Sequence, residues 1–173
     1  MRNLTRPIAA LALGCLAMLA APAPAGDKPA APLDPTIEKL SQFLGGVWVN
    51  DNPDFKVEIR YEWVFNKTAL RANGIIGKGS PQETRIESTI GYDPVSKSVY
   101  YLDFHGSQTV FKGTVKMDGD QIQYDFVTLI GPPAKWRSIG KLTGPDSYEF
   151  TIYADKNGLW AAAHEIKLHR VKS

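Results

Sequence analysis

The stretch FKVEIRYEWVF, residues 55–65, decides the fold class. Every second residue from Phe55 onward is apolar or aromatic, and the residues between them are charged except Val64. Successive side chains of a β-strand point to opposite faces, so this period of two predicts a long strand with one buried face and one solvent face.

The same alternation recurs along the rest of the chain, at residues 86–92, 111–117, 122–128, 136–142, 148–154 and 159–171. Most connections are short, and one carries the Asp118-Gly119 pair that is typical of tight hairpins. Short connections favour antiparallel neighbours. We therefore expect an all-β protein with about ten strands in an antiparallel up-and-down barrel, because closure of the sheet also removes exposed strand edges.

One short amphipathic helix is expected before the first strand. The segment TIEKLSQFLGG, residues 36–46, places four apolar side chains at helical spacing: Ile37, Leu40, Phe43 and Leu44. Asp34 suits the N-cap, Pro35 suits the first turn, and the two glycines at its end stop the helix.

Residues 1–25 have the layout of a secretory signal peptide. Arg2 and Arg6 precede an apolar run, and small residues lead to a cleavage site after Ala25. We expect the protein to be exported to the periplasm or the outside of a bacterial cell, with no membrane insertion after the signal is removed. An alternative is a lipoprotein anchored through Cys15, although a long apolar stretch follows that cysteine.

The mature chain is predicted to be a flexible spacer, residues 26–35, followed by one β-barrel domain, residues 36–173. Cleavage would remove the single cysteine, two basic residues and no acidic residue, which leaves equal numbers of acidic and basic side chains. No basic run or patch stands out, so the composition argues against nucleic-acid binding.

Three features of the sequence, taken together, resemble those of a known family. The chain has a G-x-W sequence, Gly46 to Trp48, directly after the predicted helix; its strands form a meander; and its last strand carries Arg170 in register with apolar residues. This combination resembles the calycins, the lipocalin-like barrels, in which such an arginine stacks on the first-strand tryptophan and closes one end. The resemblance implies that Trp48 and Arg170 form that closing pair.

More closely, the chain resembles a group of exported bacterial lipocalin-like proteins of unknown function. The likeness rests on GYDPVSKSVYYLDFHGS, residues 91–107, and on the ending GLW…HEIKLHR within residues 158–170. The resemblance implies a fold and leaves the function open, because one fold hosts many functions.

Aromatic side chains dominate the faces that the alternation predicts to point inward. They are Tyr61, Trp63, Phe65, Tyr92, Phe111, Tyr124, Phe126, Trp136, Phe150 and Trp160. Such a lining suits a small apolar or aromatic ligand, and we expect contacts from Trp63, Tyr124, Trp136, Phe150 and His164. The alternative is a barrel that these rings fill completely and that acts through surface contacts with a protein partner.

The three histidines are the candidate residues for metal binding or acid–base chemistry. Counting by twos from Trp160 places His164 inside the barrel and His169 outside, so the pair cannot hold one metal ion. An inward His164 resembles the haem ligand of nitrobindin-like barrels, so haem is kept as an alternative to no cofactor. His105 and Asp103 could form a base-orienting pair, but a loop histidine at a strand end is the simpler interpretation.

The sequence therefore predicts an exported binding protein with no catalytic residues and no metal site. An enzyme of the isomerase or cyclase type, with His164 or Tyr124 as acid or base, is the catalytic alternative. No zinc spacing, phosphate loop or dinucleotide motif is present in the sequence.

Overall fold

Ten antiparallel strands close into one barrel in the computed structural model, which describes residues 33–50 and 52–172. The strands are β1 (Val47–Val49), β2 (Val57–Val64), β3 (Ala69–Ile76), β4 (Thr84–Asp93), β5 (Ser98–His105), β6 (Thr109–Asp118), β7 (Gln121–Ile130), β8 (Lys135–Gly144), β9 (Ser147–Lys156) and β10 (Leu159–Val171). The signal peptide and most of the spacer predicted from the sequence lie outside the described residues. Within these residues, no helix is long and apolar enough to cross a membrane.

The strand order is a simple meander, as the short connections predicted. Each strand pairs with the next one along the chain, and β1 pairs with both β2 and β10. In the closing seam Trp48 lies opposite Arg170. The predicted fold class, an antiparallel ten-stranded barrel with one short N-terminal helix, is confirmed.

Two of the strands, β3 and β5, gave no clear alternation in the sequence. In β5 the inward positions are Val99, Tyr101, Asp103 and His105, whereas the outward positions carry partly exposed Tyr100 and Phe104. Polar residues inside and aromatic residues outside obscure the period-two pattern. The polarity of its inner face therefore explains why β5 is hard to recognise.

The N-terminal segment plugs one end of the barrel. The helix α1 (Pro35–Leu40) begins at Asp34, whose side chain accepts a hydrogen bond from the Thr36 backbone N–H at 2.8 Å, and a 3-10 turn follows at Ser41–Phe43. Its apolar side chains are almost fully buried: Ile37, Leu40 and Phe43. The Phe43 ring packs against those of Trp48, Tyr61 and Tyr148 at centroid distances of 5.2, 5.1 and 4.7 Å.

A β-bulge changes the inner face of β10. The register shifts between Ala162 and His164, so Trp160 and Ala162 pair with Asp155 and Tyr153, whose side chains point outward from β9. The prediction of an inward Trp160 was therefore wrong: its ring is 40% exposed and lies beside Arg137 on the outer wall. From His164 onward the side chains keep the predicted orientation, with Ile166 and Leu168 facing the interior.

The ends of strands account for the other misplaced aromatic residues. Phe65 follows β2 in a turn with a positive φ of 49° and is 75% exposed, so its predicted inward position was wrong. Tyr92 lies near the end of β4 and is also exposed. Phe55 precedes β2 and extends over the mouth of the barrel, where its ring stacks on that of His164.

Candidate functional site

The interior of the barrel holds a cavity of about 400 Å³. Its wall is mostly apolar and aromatic, and it reaches from buried Tyr148 and Leu168, near the helical plug, to Phe55, Gln82 and Ser107 in the connections at the opposite end. These connections lie at the far end of the strands from the helix, so the cavity is closed at one end and open at the other.

Four of the five predicted ligand contacts line this cavity. They are Tyr124, Trp136, Phe150 and His164. The fifth, Trp63, does not line it and packs instead against the buried core near the plug. His164 lies at the mouth with an exposed side chain, and its ring is nearly parallel to that of Phe55, with 5.6 Å between centroids and an interplanar angle of 7°.

The polar centre of the cavity is a hydrogen-bonded cluster on β4 and β5. Asp103 Oδ1 accepts a hydrogen bond from Ser88 Oγ at 2.7 Å, and Asp103 Oδ2 accepts one from Tyr101 Oη at 2.8 Å. His105 Nε2 lies 2.8 Å from the same Oδ2. The four side chains, Ser88, Tyr101, Asp103 and His105, are called the Asp103 cluster below.

Asp103 is the one carboxylate among the described residues that line the cavity, and no lysine or arginine lines it. Its side chain is only 5% exposed. Burial of a carboxylate is costly unless hydrogen bonds and charge compensate it. The three donors of the Asp103 cluster supply that compensation, and His105 is the group in the cluster that can also become a cation.

His105 differs from the other members because one of its ring nitrogens is left for another partner. Nε2 faces Asp103, whereas Nδ1 makes no hydrogen bond to any described residue. The ring is held from a second side by Phe111, edge to face at 5.0 Å. A histidine fixed in this way by a carboxylate presents one oriented nitrogen, the arrangement that a general base or a hydrogen-bond anchor requires.

Tyrosine hydroxyls surround the deeper part of the cavity and stay neutral. Burial raises the pKa of Tyr61, Tyr101, Tyr124 and Tyr148 above the ordinary tyrosine value. The negative charge of Asp103 raises the pKa of Tyr61 and Tyr101 further. These side chains therefore act as hydrogen-bond donors and acceptors rather than as phenolates.

Trp136 contributes a polar group that the fold leaves unpaired. Its indole Nε1 is buried and has no hydrogen-bond partner among the residues that the structure describes. Phe126, opposite it on β7, connects Trp136 to the aromatic wall beside the Asp103 cluster, since Phe126 contacts both Tyr101 and Phe111. The edge of the cavity thus contains an unsatisfied donor.

From the sequence, Asp103 and His105 could form a pair, but a plain loop histidine at a strand end is the simpler interpretation. The structure places both on β5, with Asp103 buried and His105 partly buried. The available signal was the spacing itself, because residues two apart on a strand share a face. The same spacing places Tyr101 on this face, whereas Ser88 on β4 reaches Asp103 only through strand register, which the sequence did not specify.

No three His, Cys, Asp or Glu side chains lie close enough to hold a metal ion in residues 33–50 and 52–172. His164 and His169 project from opposite faces of β10, since His164 lies opposite inward-facing Ile152 and His169 opposite Ser147.

Comparison with known proteins gives a fold likeness only. No protein-family model and no curated protein sequence matches the chain. Among solved structures it is similar to Rv2717c from M. tuberculosis, with a TM-score of 0.51 and 17% sequence identity. The match covers 82% of this chain and 100% of that one. At this identity the likeness supports a shared barrel fold and nothing about activity.

Proposed function

We propose that this protein is an exported lipocalin-like binding protein that holds a small, largely apolar or aromatic molecule in its barrel. The observation that carries the proposal is the cavity of about 400 Å³, walled mainly by apolar and aromatic side chains and open at one end. Sites for small molecules are typically concave, largely apolar and provided with a few polar groups. This interior has that composition.

The cavity argues against the alternative of a completely filled barrel. Glycines lie opposite bulky inward residues on neighbouring strands: Gly113 faces Phe126 and Gly140 faces Phe150. A Cβ at either glycine would overlap atoms of the facing residue. These glycines let the facing residues approach the wall closely, which supports a hollow centre.

The mouth offers a simple route for entry. The ring of Phe55, outside any strand, rests on exposed His164 across the opening. This is a contact between two side chains at the rim, so a rotation of either one would widen the opening without breaking a strand pair. Haem ligation by His164 stays an alternative, and it requires the imidazole to leave Phe55.

Export is part of the proposal and rests on the sequence. Arg2, Arg6, the apolar run and the small residues before Ala25 support a cleaved signal peptide. The lipocalin-like kinship is proposed on the G-x-W sequence after the helix and on Arg170 in the last strand, together with the meander order.

The decisive experiment is a mass comparison on protein exported through its own N-terminal segment and purified gently. Native and denatured mass spectra of one sample are expected to differ by a discrete amount, the mass of a retained small molecule. That mass separates haem from an apolar ligand. The denatured mass gives the mature N-terminus, which is Gly26 for signal cleavage and Cys15 for a lipoprotein.

If the purified protein retains no small molecule, a binding assay tests the cavity directly. Fluorescence titration with 2-naphthol should give saturable binding that is lost in Ser138→Phe, because Ser138 is buried on the cavity wall. Lys141→Phe, on the outer face of the same strand β8, should bind as the parent does. Equal binding by both variants, or none by the parent, would count against a cavity ligand.

A further inference from the structure

We propose that His105 is the polar anchor of the cavity and that the ligand is an apolar molecule carrying one acidic hydroxyl, either a phenol or a carboxylic acid. The inference rests on the proposed function and adds the chemical class of the ligand. It also assigns the contact that distinguishes this class from a plain hydrocarbon.

The first step is the direction of the hydrogen bonds in the Asp103 cluster. The hydroxyls of Ser88 and Tyr101 and Nε2 of His105 all point at the Asp103 carboxylate, at 2.7 to 2.8 Å. Those donors are thus already used. Asp103 itself is 5% exposed, and both of its oxygens have partners, so a ligand does not reach the carboxylate directly.

The second step is that His105 Nδ1 is the available atom of the Asp103 cluster. His105 lines the cavity, its side chain is 20% exposed, and Nδ1 has no hydrogen-bond partner among the described residues. Asp103 on one side and the Phe111 ring on another fix the imidazole plane. The direction of the Nδ1 lone pair is therefore fixed before a ligand arrives.

The third step matches a ligand group to that nitrogen. With Nε2–H donated to Asp103, neutral His105 accepts a hydrogen bond at Nδ1, and protonated His105 donates one there. An acidic hydroxyl fits both states, because it donates O–H to the neutral imidazole and its anion accepts N–H from the imidazolium. In the second state, His105 also supplies the positive charge between the ligand oxygen and Asp103, in a wall that holds no lysine or arginine among the residues described.

The test uses two probes of equal size, 2-naphthol and 2-methylnaphthalene, which differ by a hydroxyl in place of a methyl group. Parent protein should bind 2-naphthol at least about tenfold more tightly, the equivalent of one good hydrogen bond to a polarised partner. His105→Phe should remove this preference while retaining affinity for 2-methylnaphthalene. His169→Phe is the matched control, since it changes a histidine on the outer face of β10, and the preference should persist.

NMR of the His105 ring nitrogens distinguishes a direct contact between the ligand and His105 from a general loss of structure. Long-range ¹H–¹⁵N spectra of the parent should show His105 with its proton on Nε2, and 2-naphthol should shift the His105 Nδ1 resonance while leaving the resonances of His169, on the outer face of β10, nearly unchanged. Asp103→Asn should weaken 2-naphthol binding and leave 2-methylnaphthalene binding intact, because it removes the charge that orients His105.

The outcomes distinguish this inference from the function on which it rests. Failure of both probes to bind would overturn the proposed function and the anchor together. Equal binding of both probes, or a preference that survives His105→Phe, would overturn the anchor alone. Tighter binding of 2-naphthylmethylamine than of 2-naphthol would overturn it in favour of a cationic ligand.

Discussion

Arg170 lies over the ring of Trp48, with its Cζ atom 4.6 Å from the ring centroid. The guanidinium also donates four hydrogen bonds to backbone carbonyl oxygens around the closed end, those of Gln42, Leu44, Gly45 and Pro145. One side chain therefore joins the last strand to the first strand, to the 3-10 turn and to the β8–β9 connection. Trp48 in turn donates from Nε1 to the Phe43 carbonyl oxygen at 2.8 Å.

We predict that Arg170→Met lowers the free energy of unfolding by about 3 kcal/mol or more, because charge-assisted hydrogen bonds and a desolvated cation–π contact are lost together. Urea unfolding followed by tryptophan fluorescence measures the change. Arg137→Met is the matched control: Arg137 lies at the same 4.6 Å from Trp160, but on the outer wall with a side chain that is 31% exposed, where its Nε donates to Asp125 Oδ1. It should cost less than about 1 kcal/mol. Equal losses in the two variants would contradict the role given to Arg170.

Replacement of Phe43 tests how much the helical plug contributes to the stability of the barrel. Its side chain is 2% exposed and touches three other aromatic rings at the closed end. Phe43→Ala should lower the free energy of unfolding by about 3–5 kcal/mol, through lost burial and the cavity left behind. Leu44→Ala, at a partly buried neighbour, should cost less. A similar small effect in both variants would show that the plug contributes little to the stability of the barrel.

The period of two predicted the fold correctly because most strands have one apolar face, such as the face of β2 that holds Val57 and Ile59. It failed where the inner face is polar, at Asp103 and His105, and where a bulge inserts a residue, at Ala163. A bulge is set by local hydrogen bonding between two strands. The residue types near Ala163 do not predict it. The Ser88–Asp103 contact likewise needs β4 and β5 in register, which is a property of the pair and not of either segment.

Interior tyrosines should make the protein less stable in alkali. Burial raises the pKa of Tyr148 in the folded state, while in the unfolded chain tyrosine titrates near its ordinary pKa of about 10. The folded state then binds the proton more tightly, so the stabilisation is complete below about pH 10 and is lost as the pH rises above that value. Each such tyrosine contributes a slope of about 1.4 kcal/mol per pH unit.

Urea unfolding between pH 8 and pH 11 measures this slope. Tyr148→Phe should make it shallower, since phenylalanine has no hydroxyl to ionise. Tyr100→Phe, at a side chain that is 47% exposed, should leave it as in the parent. A parent whose stability does not change across this range would contradict the assignment of neutral, buried tyrosines to the cavity.

Trp136 and Trp48 should differ in how much their replacement by phenylalanine lowers the free energy of unfolding. The Trp48 indole N–H donates to the Phe43 carbonyl oxygen, whereas that of Trp136 is buried without a partner. Trp136→Phe removes an unsatisfied donor, whose burial costs about 1–3 kcal/mol, and this gain offsets much of the lost ring area. We expect the free energy of unfolding to stay within about 1 kcal/mol of the parent. Trp48→Phe should cost about 2–4 kcal/mol, because it leaves a buried carbonyl oxygen unpaired and weakens the contact with Arg170.

The effect of the Trp136 substitution on ligand binding can be measured as well. If a ligand oxygen accepts a hydrogen bond from Trp136 Nε1, the saturating shift in melting temperature produced by 2-naphthol should be smaller in Trp136→Phe than in the parent. Trp63→Phe is the control, since Trp63 does not line the cavity. A large loss of stability in Trp136→Phe without ligand would mean that the indole N–H has a partner in solution, and the unpaired donor would then no longer mark the edge of the binding site.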